Sequence, residues 1–321
     1  MPATATETPP RRPGLDYLTE GGIETEIMYR WGYELPHFAM FPLLERADAR
    51  ATLRGLYRRW LDVAARHGMG ALIGGFDYRA SPDWGARLGY SPAALAEANL
   101  AAIDFLAAMR REYDGQLPQA KLVGYVGPRG DAYRLNGTMS VEAAEAYHAV
   151  QLETLRRSSA DLAWAVTFND PVEAVGVARA ARRVGMPLAM SFSLGSDSRL
   201  ASGLTLAEAV ERVDAETGGS IAFFALNCSH PQEFAPALTP GAWSERLRCI
   251  RPNAAAMDKI ALCKLGRLEE GDPDALGRQM GEVARRFPAM DIWGGCCGTS
   301  HVHLDRIAGA LAEVRRARAT A

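Results

Sequence analysis

The sequence predicts one α/β domain, a single (β/α)8 TIM barrel, on three observations. Short apolar runs alternate with amphipathic stretches along nearly the whole chain, the pattern of a parallel sheet with helical crossovers. No Gly-x-Gly-x-x-Gly fingerprint follows the first run, which argues against a doubly wound open sheet. Two cysteine-bearing turns follow the sixth and eighth runs, ends that barrel closure brings round a common mouth. The length of 321 residues is neutral, because barrels of about 250 residues or more often form one domain.

In chain order, residues 1–14 are rich in Pro, Thr and Arg and read as a disordered tail, neither signal peptide nor membrane helix, leaving 15–321 for the catalytic barrel. Strand one is expected at Leu15 to Thr19, running into Glu20-Gly21-Gly22, with an irregular stretch from Ile23 to Pro42. The first long helix is Asp48 to His67, ended by Gly68 and Gly70. Strand two, Ala71 to Phe76, leads through Asp77-Tyr78-Arg79 to a helix over Pro92 to Tyr113, and strand three is Lys121 to Val126. Ser140 starts the next helix, with Glu142 and Glu145 opposing the positive helix end. Leu162 to Phe168 is strand four, followed by Asp170-Pro171 and a helix to Val184. Pro187 to Phe192 is strand five and Thr205 to Glu216 its helix. Strand six is the run Ile221 to Leu226. Strand seven is placed at Leu247 to Pro252, with Ile260 to Lys264 as the rival. A helix from Asp274 to Phe287 precedes an eighth strand that reaches Cys296, and His303 to Arg318 closes the chain as a helix.

Composition narrows the partners. With 48% hydrophobic and 23% charged residues and a formal net charge of -2, no basic surface dominates, so nucleic acid is not an expected partner. No run beyond the tail is read as long enough to span a bilayer. Five cysteines at wide spacings are not the framework of a small secreted domain, and a vicinal thiol pair fits a reducing, cytoplasmic compartment. Oligomeric state is left open.

The chemistry concentrates in Trp293-Gly294-Gly295-Cys296-Cys297-Gly298-Thr299-Ser300, a strand-to-helix turn on the side of such folds where active sites collect. Glycines beside the cysteines let the backbone bend and another group approach, as two thiolates on one metal ion require. A zinc site needs a further soft ligand, and Cys228 in Asn227-Cys228-Ser229-His230-Pro231 stands at the same kind of strand end. Cys249 and Cys263 lie in apolar surroundings and read as small core residues. His230, His301 and His303 are near these motifs, but three thiolates and a substrate sulfur already complete a tetrahedron.

Asn227-Cys228 with Gly294-Gly295-Cys296-Cys297-Gly298-Thr299 resembles the zinc-thiolate signature of the homocysteine S-methyltransferase family, and Gly21-Gly22 with Thr25 resembles its opening motif. The resemblance implies Zn2+ held by Cys228, Cys296 and Cys297, a small methyl donor, and homocysteine or a related small thiol bound as zinc thiolate, with methionine biosynthesis as the setting. It also implies that Glu20 pairs with the acceptor's ammonium group and the Gly22 amide with its carboxylate. Three places depart from the family's pattern, the first being Glu20, a longer acid than the family's opening Asp. Val166 stands where the strand-four acid is expected, leaving Thr167 and Asn169 as hydrogen-bonding substrate contacts without charge. Arg79 enters the segment after strand two, where it suits an anionic group or pairs with Asp77 at the surface. A different thiol or selenol acceptor, or a non-catalytic metal-binding or redox-sensing barrel, are the alternatives.

Overall fold

The computed structural model describes residues 12–320 apart from 136 and 138. Eight parallel strands close in sequence order: β1 (Tyr17–Leu18), β2 (Gly70–Ile73), β3 (Ala120–Val126), β4 (Leu162–Phe168), β5 (Leu188–Phe192), β6 (Phe224–Asn227), β7 (Leu247–Arg251) and β8 (Ile292–Trp293). The ring is sealed where Tyr17 pairs with Ile292 and Leu18 with Trp293. Around it run α1 (Ile23–Tyr29), α2 (Ala47–Arg66), α3 (Pro82–Arg87), α4 (Pro92–Glu112), α5 (Val141–Arg156), α6 (Pro171–Val184), α7 (Leu206–Thr217), α8 (Pro231–Phe234), α9 (Lys259–Lys264), α10 (Pro273–Arg286) and α11 (His301–Ala319). The expected tail falls almost wholly outside the described residues.

Local chemistry explains where the helices start and stop. Ser91, Ser140, Asp170 and Thr205 accept backbone N–H bonds at the starts of α4, α5, α6 and α7, satisfying donors that have no partner inside the helix. The same chemistry settles strand seven in favour of Leu247. Asp258 Oδ1 accepts from Ile260 N (3.1 Å) and Ala261 N (3.0 Å), so the rival stretch winds into α9. The stretch after Gly22, expected to be irregular, begins with α1.

Period-two alternation sorts the strand residues. Tyr17, Leu72, Val123, Trp164, Phe223, Cys249 and Ile292 fill the barrel interior, while Leu18, Ile73, Leu226, Ile250 and Trp293 pack outward against the helices. Cys249 is thus a core residue, its thiol pKa pushed up by burial. The side chain of Cys263 lies outside the described residues. Contrary to the sequence reading, α4 is long and apolar enough to cross a membrane. It nonetheless sits on the barrel, burying Leu95, Ile103, Leu106 and Met109.

Helices α5 and α6 touch at Gly176, where a Cβ would collide with that of Ala144 and come within 2.8 Å of Val141 O. Gly176→Ala should therefore destabilise by about 1–3 kcal/mol despite alanine's better helix propensity. Gly309 on α11 faces open space, and Gly309→Ala should stabilise by roughly 0.5–1 kcal/mol. Chemical denaturation of the two variants checks the pair, and equal midpoints would mean that α5 and α6 separate without cost.

Candidate metal centre and substrate pocket

Both cysteine turns hang from the end of β7. Cys228 N donates to Arg251 O (3.2 Å), Cys296 N to Pro252 O (2.8 Å), and Ala254 N to Cys297 O (2.9 Å). β8 ends at Trp293, short of the expected Cys296, although Gly295 N still donates to Glu20 O (3.1 Å) beside it. Two glycines make the turn possible. Gly298 adopts φ +79°, and at Gly22 a Cβ would collide with the Cys296 carbonyl.

Cys228 itself lies at φ +54°, a region L-residues seldom occupy, and so does Thr167 at φ +63° near the end of β4, two strands away. Asn227 holds the two together. Its Oδ1 accepts from Thr167 N (2.9 Å) and its Nδ2 donates to Thr167 Oγ1 (2.7 Å). Local strain of this kind persists only where surrounding bonds over-determine it.

The result is a cluster of three sulfurs. Cys228 and Cys296 are joined as a disulfide with Cα atoms 5.4 Å apart, and all three Sγ atoms lie within 4.8 Å of one another. Sulfurs on a tetrahedral zinc at about 2.3 Å stand about 3.8 Å apart, so with the disulfide reduced the three donors fit such an ion. Two of the three nearby histidines are engaged elsewhere. His230 Nδ1 accepts from Gln232 N (3.2 Å), while His303 binds Ser300 N (3.1 Å) and Glu270 O (2.7 Å).

The sulfurs open into a cavity of about 340 Å³ lined on its apolar side by Met28, Phe38, Tyr78 and Val166. Beneath it is a charged floor that the sequence reading did not foresee. Arg251 Nη2 donates to Glu20 Oε1 (2.6 Å), Tyr125 Oη donates to the same oxygen (2.5 Å), and Arg251 Nη1 donates to Tyr125 Oη (2.6 Å). Arg251 Nε reaches Gly295 O (3.1 Å), tying the floor to the cysteine turn. Burial raises the Glu20 pKa, against the opposing pull of Arg251 and Tyr125.

Several expected substrate contacts are corrected by this arrangement. Glu20 is 2% exposed and already paired, so its carboxylate is part of the floor and not of the pocket wall. The Gly22 amide donates to Thr299 O (2.9 Å) and Oγ1 (3.1 Å), and no donor remains there for a carboxylate. Asn169 Nδ2 points away to Arg134 O (3.1 Å), supporting the loop after β3. Thr167 does line the cavity, although its amide and hydroxyl already bond Asn227.

Arg79 also lines the cavity, and no surface pair with Asp77 forms. Asp77 is buried and accepts from Tyr125 N (2.8 Å), while Arg79 lies 4.7 Å from the Tyr78 ring and 4.4 Å from the Trp84 ring and donates to Gly130 O (3.0 Å). Among the residues missed, Arg251 had a usable signal. It falls two positions after inward-facing Cys249 and so had to point into the barrel. Glu24, between the quoted Gly22 and Thr25, lines the cavity too, and burial raises its pKa to about 7.

Fold and site together define a (β/α)8 protein with a cysteine-lined mouth. Residues 17–311 match the sequence profile of the homocysteine S-methyltransferase family. No curated protein sequence matches the chain. Among solved structures, the homocysteine methyltransferase MmuM of Escherichia coli is similar in fold. Its oxidized form is 20% identical with a TM-score of 0.72, covering 92% of this chain and 95% of that one. Its metallated form is 19% identical with a TM-score of 0.70, covering 92% and 96%. The chain belongs to the homocysteine S-methyltransferase family and is an S-methyltransferase.

The floor yields a stability test. Arg251→Met leaves the Glu20 carboxylate buried without its cation and should cost about 3–5 kcal/mol. Adding Glu20→Gln removes the stranded charge and should recover part of the loss in chemical denaturation. A double variant no more stable than Arg251→Met would show that the pair does not act as a unit.

Proposed function

We propose that this S-methyltransferase is zinc-dependent and moves a methyl group from a small donor to homocysteine or a related small thiol, in a reducing, cytoplasmic setting. The observation that carries the reading is the convergence of Cys228, Cys296 and Cys297 at the edge of a cavity large enough for organic substrates. When bound there, zinc supplies the Lewis acidity that keeps an incoming thiol ionised at neutral pH, where a free thiol is mostly protonated.

The chain's own residues do the rest. Three cysteine ligands contribute negative charge that keeps the acceptor sulfur electron-rich, and Met28, Phe38 and Val166 exclude water from the path of the methyl group. Arg79, with its guanidinium stacked between two rings, offers positive charge to an anionic part of the donor or acceptor. A metal-storage role needs no such cavity, and the cavity counts against it. A selenol acceptor would use the same sulfurs and is separated only by assay.

Protein purified under reducing conditions should carry about one zinc per chain by elemental analysis. Cys228→Ser, Cys296→Ser and Cys297→Ser should each lose most of it, and oxidation to the Cys228–Cys296 disulfide should release it. A mass-spectrometric screen of thiols and donors should then show methylation only by the metal-loaded protein. Full zinc retention in all three variants would sink the site.

A further inference from the structure

The charges around the cavity are almost all engaged within the protein. Arg251 pairs with Glu20 at 2.6 Å and Arg267 with Glu269 at 3.1 Å. Lys259 Nζ donates to Leu194 O, to Ser193 Oγ (3.0 Å) and to Ser229 Oγ (3.3 Å), and Asp131 accepts from Tyr133 N (2.7 Å). Glu24 is different. Its carboxylate lines the cavity yet has neither an ion pair nor a hydrogen bond from another residue among the described residues.

Glu24 also sits on a segment fastened to the cysteine turn and lines the same cavity as the three sulfurs. On one side of it, Gly22 packs against the Cys296 carbonyl, and on the other Thr25 Oγ1 accepts from Gly298 N (3.1 Å), so the start of α1 is fastened to the cysteine turn at two points. Tyr78 shares the cavity with Val166 and feels the charges of both Glu24 and Cys297. Arg251 offsets only part of what burial costs Glu24, and with no ion pair of its own the carboxylate is stabilised further by a cationic ligand group beside it.

We propose that Glu24 binds the α-ammonium group of an amino-acid thiol whose sulfur occupies the cysteine site. This assignment rests on the thiol-methylation reading above and adds that the acceptor is an amino acid, recognised from α1 and not from β4, where Val166 offers no charge. The ammonium arrives with N–H donors that Glu24 lacks, and the charge-assisted bond forms where water is scarce. The energetic logic also accounts for Glu24's raised pKa, which falls back once a cation is beside it.

The test uses zinc-loaded full-length protein, homocysteine, and 4-mercaptobutyrate, the same thiol without its amino group, with affinities measured by calorimetry in the absence of donor. Glu24→Gln should weaken homocysteine at least tenfold, leave 4-mercaptobutyrate within about twofold, and retain zinc. Equal weakening of both thiols would reassign Glu24 to a structural role. Unchanged homocysteine affinity would place the ammonium elsewhere. Each of these overturns the proposal while the functional reading stands. If the natural protein binds neither thiol, the acceptor reading fails and the proposal with it.

Discussion

The buried pair of Glu20 and Arg251 is the constraint around which the mouth of this barrel is arranged. A carboxylate and a guanidinium taken out of water cost several kcal/mol each unless they meet in good geometry with their remaining atoms bonded. Tyr125 and the Gly295 carbonyl provide some of those bonds, while Glu20 Oε2 stays unpartnered among the described residues. Because Glu20 follows β1, Tyr125 lies on β3 and Arg251 ends β7, satisfying the pair fixes three strand ends relative to one another. The backbone of Arg251 also accepts the amide of Cys228, so one residue links the charged floor to the sulfurs above it.

This arrangement divides labour between order and chemistry. The floor, the Asn227 clamp and the β7 amide bonds all orient cysteines, and Tyr125, Asn227 and Arg251 also line the cavity. Supporting partners of that kind set how well a metal ligand is aimed. The pocket walls are, by contrast, largely apolar or self-neutralised, which leaves few groups able to choose among ligands.

The fold was legible because barrels write themselves locally. Each strand is a short apolar run, each helix has its cap, and the alternation from Leu72 to Ile292 needs no long-range knowledge. The sulfur cluster was legible because Cys228, Cys296 and Cys297 stand at strand ends with turn residues around them. What could not be read was which polar groups would be taken by neighbours. Glu20 looked available because sequence does not reveal that Arg251, 231 residues away, reaches it across the barrel. The Gly22 amide looked available for the same reason, since Thr299 approaches only after the ring closes. Asp77 and Arg79, two apart in sequence, looked like a pair, yet the chain turns one toward the β3 backbone and the other between two aromatic rings.

The ring is sealed by two residue pairs between β1 and β8, the shortest strands in the sheet. Asp16 reinforces that closure from outside the ladder, accepting from Trp293 Nε1 (3.1 Å) and from Arg315 near the end of α11 (2.5 Å). Directly above it, Gly22 and Thr25 on one side touch Thr299 and Gly298 on the other. The reactive end of the molecule is therefore laid across one of its two-pair welds, like those of β1 with β2 and β7 with β8. A parting between β1 and β8 would draw Gly22 and Thr25 away from the cysteine turn, while Cys228, Cys296 and Cys297, all bonded to the end of β7, would stay together, so the wall of the pocket would open before the sulfur cluster came apart.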